Sequence, residues 1–105
     1  MTMFDDRDKG FENKFAHEEE ISFKINARRT RLIGLWTAEK LGKPEAERDV
    51  YALQLLDSMV SNKSETALLD KLQAELGTKA TLKEIRTELE RLSQVARQQI
   101  LGGAA

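Results

Sequence analysis

One proline, Pro44, stands in a chain of 105 residues, and no run of β-branched or aromatic residues alternates with period two. Together these features exclude a sheet and leave a chain built from strong helix formers. At this length one modest core is all that can be buried, so a second, catalytic domain is excluded. No internal repeat or low-complexity tract interrupts the pattern.

The last helix is the most legible. Thr81-Leu82-Lys83-Glu84 is a capping box, a threonine at the cap and a glutamate three residues on. Leu82, Ile85, Leu89, Leu92 and Ala96 then recur at spacings of three and four, one apolar stripe on a helix that Gly102-Gly103 stops. Upstream, Asn62 and Glu65 form a second possible capping box, and Leu68, Leu69, Leu72 and Leu76 stripe a short helix ending at Gly77. A third helix starts near Pro44, a residue favoured in the first turn, and its expected inward face is Val50, Leu53, Leu56 and Val60. From about Ile21 to Leu41, a broad helical face carries Ile21, Ile25, Leu32, Leu35 and Trp36, with Trp36 the largest single side chain available for burial. Short connections at residues 42–43, 61–63 and 77–79 fit antiparallel neighbours. The expected fold is all-α, a four-helix bundle with a mobile N-terminal segment.

That segment, residues 1–20, has its own character. It holds Asp5, Asp6, Asp8, Glu12, Glu18, Glu19 and Glu20 against Arg7, Lys9 and Lys14, and the run Lys24, Arg28, Arg29, Arg31 follows it. Its large apolar residues are Phe4, Phe11 and Phe15, which fall at i, i+7 and i+11 on one side of a helix. Asp5 and Lys9 stand in the favourable order for an ion pair four residues apart, Lys14 and Glu18 in the less favourable one. Gly10 in the middle costs about 1 kcal/mol relative to alanine in a helix. Three aromatics do not offset the ordering entropy of so charged a stretch. Residues 1–20 are therefore expected to be disordered or partly helical when free, and residues 21–105 to form the bundle. Two readings of the phenylalanines follow: anchors for a partner's groove, or side chains that pack on the bundle.

Other chemistries find little support. The chain has no cysteine, so neither a disulfide nor a thiolate metal site can form, and its one histidine, His17, cannot build a triad or a histidine pair. Glu18, Glu19 and Glu20 point in different directions on a helix and read as a solvated acidic face. No phosphate-binding glycine loop is present. The run Ala27-Arg28-Arg29-Thr30-Arg31 lacks any accompanying nucleic-acid motif in a chain of net charge −1, so a helix face or protein-docking surface is the better reading. No stretch approaches the roughly 20 apolar residues of a membrane span, and the charged N-terminus is unlike a signal peptide. A soluble cytoplasmic protein, monomeric when free and without enzyme activity, is expected.

The stretch from Phe4 to His17, FDDRDKGFENKFAH, resembles the signature of the zeta-subunit family of the alphaproteobacterial F-type ATP synthase. The likeness continues through Ala27-Arg28-Arg29 and Leu32-Ile33-Gly34-Leu35-Trp36, covering about residues 4 to 42. This resemblance implies an inhibitor whose N-terminal segment enters a catalytic interface between alpha and beta subunits, next to the gamma subunit, and obstructs rotation in the hydrolytic direction. The positions it marks as partner-binding are Phe4, Asp5, Asp6, Arg7, Asp8, Lys9, Phe11, Glu12, Asn13, Lys14 and Phe15. It also implies a location peripheral to the inner membrane through the synthase, and at most weak adenine-nucleotide binding, for which no residue pattern here supplies a site. Gly10 and the apolar Ile21-Ser22-Phe23 depart from the family pattern and bear on potency. The alternative function is a non-inhibitory helical adaptor or assembly protein of the synthase.

Overall fold

The structure, a computed structural model, describes the backbone of residues 3–60 and 64–102 and the side chains of those ranges from residue 18 onward. It contains α1 (Met3–Lys40), α2 (Glu45–Ser58), α3 (Glu65–Leu76) and α4 (Leu82–Gly102), with a short 3-10 turn at Gly77–Lys79 and no strand among the described residues. The helices run up and down in succession, and α1 is the central member, packed against α2 on one side and α4 on another. The all-α bundle is as the sequence predicts.

The turns explain themselves chemically. At the end of α1, Gly42 takes φ +78 while its N–H bonds the Glu39 carbonyl and the Lys43 N–H bonds that of Ala38. This paired closure with glycine in the left-handed region satisfies carbonyls the helix leaves open. Gly77 ends α3 in the same region at φ +56. Thr81 caps α4 as expected, with the Glu84 N–H donating to Thr81 Oγ1 at 3.1 Å, while the Thr81 hydroxyl, in place of its backbone N–H, donates to Glu84 Oε1 at 3.3 Å. At α3 the cap differs from the sequence reading. Ser64 is the cap residue, its hydroxyl accepting from the Ala67 N–H at 2.9 Å, because Glu65 is already the first helical residue. Asn62 lies outside the described residues.

The core contains Ile33, Leu55, Leu68, Leu69, Leu72, Leu76, Ala80, Ile85, Leu89 and Leu92. The expected stripes of α3 and α4 are thus buried, with only Leu82 half-buried. On α1 and α2 the expected faces are rotated. Ile21, Ile25, Leu32, Leu35 and Trp36 are half-buried, and the fully buried line is Thr30, Ile33, Gly34, Thr37 and Ala38. On α2, Ala52 and Leu55 face inward, Leu56 is half-buried, and Val50, Leu53 and Val60 are exposed.

Close approach is the reason. A Cβ built on Gly34 would lie 2.9 Å from Ala52 Cα and 3.1 Å from Ala52 Cβ, so α1 and α2 meet backbone to backbone at a seam of small residues. Size rather than hydropathy chooses what faces inward there. The buried hydroxyls of Thr30 and Thr37 are tolerated because they donate to the Asn26 and Ile33 carbonyls of their own helix, at 2.9 and 2.8 Å. Trp36, expected in the core, instead flanks it with the Lys40 ammonium 5.6 Å from its ring centroid.

α1 outruns its partners. Its 38 residues span about 57 Å at 1.5 Å per residue, against about 32 Å for the 21 residues of α4. The molecule is accordingly 62 × 27 × 22 Å. Arg28 meets Gln99 close to the end of α4, and upstream of Ile21 the described residues Glu18, Glu19 and Glu20 are exposed. Gly10 lies inside this unbroken helix, which crosses residue 20 without a kink-forming residue.

Candidate functional site

Three arginines within a single turn of α1 link it to the rest of the bundle, one for each other helix. Arg28 Nε donates to Gln99 Oε1 of α4 at 2.6 Å, the Arg29 guanidinium lies 3.6 Å from Glu65 at the start of α3, and that of Arg31 lies 3.6 Å from Asp49 of α2. Successive positions on a helix point about 100° apart, so a dense basic run on a central helix reaches neighbours in three directions. The run that invited a nucleic-acid reading is therefore a clasp. Each contact contributes little alone, and together they link α1 to all three other helices near the point where it leaves the bundle. Lys24 turns back along its own helix to Glu20, 3.3 Å away. The Arg29 Nε is buried and lacks a hydrogen-bond partner.

A second polar cluster ties α3 to the α1–α2 turn. Tyr51 donates its hydroxyl to Glu75, Lys71 lies 3.5 Å from the same carboxylate, and the Lys43 ammonium sits 5.5 Å from the Tyr51 ring. Burial pushes the Glu75 carboxyl above the usual carboxylate range, and the Lys43 charge pulls it partly back. A carboxyl whose folded pKa is raised penalises folding above that pKa and ceases to do so below its unfolded value. Glu75 therefore penalises the fold less as the pH falls through the carboxylate range.

Among the described residues no group of His, Cys, Asp or Glu is placed to hold a metal ion. None of the described helices is long and apolar enough to cross a membrane. The concavities are shallow; one is lined by Trp36, Lys40, Lys83, Glu84, Thr87 and Glu88, another by Glu65, Leu69, Arg86, Leu89, Glu90, Ser93 and Gln94. What the fold displays is a long helix, fixed at one end and extended at the other.

Residues 1–99 match the family described as ATPase inhibitor subunit zeta. The chain belongs to that family. No curated protein and no solved structure matches it. Zeta-family membership extends the likeness seen in the first 42 residues across α2, α3 and nearly all of α4, where the sequence offers only amphipathic patterning. It supports an ATP synthase inhibitor role and makes the synthase the partner.

The candidate site residues Phe4, Asp5, Asp6, Arg7, Asp8, Lys9, Phe11, Glu12, Asn13, Lys14 and Phe15 all lie on the backbone of α1. Their side chains, and that of His17, fall outside the described residues, as do the ion pairs expected of Asp5 with Lys9 and Lys14 with Glu18. Sequence reasoning missed the arginine clasp and the Gly34 seam. The charge run 28–31 and the Gly-x-x-x-Ala spacing of Gly34 and Ala38 were the signals for them.

Proposed function

We propose that this protein inhibits ATP hydrolysis by the F-type ATP synthase, with residues 1–20 of α1 as the inhibitory element and the rest as the bundle that presents it. On this reading the N-terminal part is mobile when free. It enters a catalytic interface between alpha and beta subunits beside gamma, and it impedes rotation in the hydrolytic direction while permitting synthesis. The observation that carries the reading is the extension of α1 beyond the other helices, in a chain whose family is an inhibitor subunit.

The chemistry of the segment suits such a role. Phe4, Phe11 and Phe15 share one side of the helix and would set affinity as apolar anchors, while Asp5, Asp6, Arg7, Asp8, Lys9, Glu12, Asn13 and Lys14 would set register and orientation. A segment that orders as it binds can enter progressively while an interface opens and closes, at an affinity reduced by its ordering cost. The bundle's clasp holds the base of the helix, which limits the directions it can search.

The direction of the effect is the test. Adding the intact protein to synthase in sealed vesicles is expected to lower ATP hydrolysis at least tenfold at saturation and to leave proton-driven synthesis within about twofold of its rate, the tenfold corresponding to about 1.4 kcal/mol. Equal suppression of both would mean a plug of the catalytic site rather than a directional block. No effect on either would assign the protein to the non-inhibitory adaptor class.

A further inference from the structure

Val50, Leu53 and Val60 are three of the five large hydrophobic residues exposed among those described, at 53%, 55% and 65%, and all lie on α2 or directly after it. Single exposed leucines need no explanation, but Val50 and Leu53 on one face of a helix, with Val60 directly after its end, do. α2 packs chiefly on α1 through Ala52 and Leu55, and its helical period places Val50 and Leu53 on the opposite side. The bundle therefore folds without them.

Acids border the row. Glu47 lies to one side and Asp49 to the other, Asp57 falls between Leu53 and Val60, and Glu45 precedes them; all four are exposed, and among the described residues only Asp49 of these reaches a cation, Arg31. We propose that this face of α2 docks a basic amphipathic helix of the synthase's catalytic sector, so that the bundle is tethered at a second place while α1 acts at the first. The proposal rests on the inhibitor reading above and adds a surface to it. Charge selects the occupant. The chain's own residues 1–20 carry seven acids against three bases, and a second copy would set acidic border against acidic border, so both are disfavoured where a Lys- and Arg-flanked ridge is attracted.

The test compares full-length proteins binding to purified catalytic sector. Val50→Ser with Leu53→Ser, and separately Glu47→Lys with Asp57→Lys, are each expected to weaken binding at least tenfold. Melting temperature and the maximal inhibition reached at saturation should stay unchanged. Unaltered affinity in the serine variant overturns the proposal while leaving the inhibitor reading intact. Weakening by serine but not by lysine overturns the basic partner, and so does a wild-type dimer in solution that the serine variant dissolves. If the wild type fails to bind the sector at all, the inhibitor reading falls and this proposal with it.

Discussion

Gly34→Leu is expected to lower the melting temperature by more than about 10 °C. Even the first added carbon would lie 2.9 Å from a backbone atom, Ala52 Cα, which no rotamer change relieves. α1 and α2 must separate, and that uncovers Ile33 and Leu55, both buried in the core they share. Overpacking of this kind costs about 1–3 kcal/mol and more when backbone must move. Each kcal/mol corresponds to roughly 4–8 °C in a domain of this size. Gly34→Ala should lose less, because alanine regains about 1 kcal/mol of helix propensity. Thermal unfolding followed by circular dichroism measures both. A Gly34→Leu protein that melts with the wild type would mean that the helices do not meet at this seam.

Phe11→Ala is expected to produce the largest single loss of inhibition, roughly ten- to a hundredfold in the concentration giving half-maximal inhibition. It is the middle member of the Phe4, Phe11, Phe15 row, and anchors at the centre of an interface contribute about 1.4–3 kcal/mol or more. The same substitution should leave the melting temperature within a degree or two, since on this reading Phe11 serves the partner's groove and not the bundle. Titration of hydrolysis with the variant, alongside its melting curve, separates the two readings of the phenylalanines. A drop of several degrees would place Phe11 in the bundle.

Much of this arrangement was legible in the residues. α3 and α4 could be read almost side chain by side chain, because a helix that buries one leucine face against a leucine core obeys hydropathy alone. Leu68, Leu72, Ile85 and Leu89 are where their spacing puts them. α1 and α2 obeyed size instead. The inward residues Gly34, Ala38 and Ala52 are too small to dominate a hydropathy pattern, so the bulkier Val50, Leu53 and Trp36 were read as the core in their place. The rotation of α2 that follows is also what exposes the apolar row, so the misreading and the candidate docking face share one cause.

The candidate site was legible in a different sense. The FDDR and FENKFAH motifs carried the family, and the match over residues 1–99 bears that out. Charge patterning separated residues 1–20 from the bundle but said nothing of the continuous backbone through residue 20, because dense charge and Gly10 argue against a helix locally while α1 as a whole continues. The arginine run was legible as charge and illegible as structure. Its three directions depend on α1 being central, which no local pattern states.

The central claim is that an inhibitory element on α1 is carried by a bundle that folds without it. The measurement that bears on it most directly is ATP hydrolysis by purified synthase, with the full-length protein and with a protein lacking residues 1–19, both checked for the same cooperative unfolding. Inhibition by the full-length protein and none by the shortened one, at equal helical stability, is the predicted result. Equal inhibition by both would contradict it and move the inhibitory surface into the bundle.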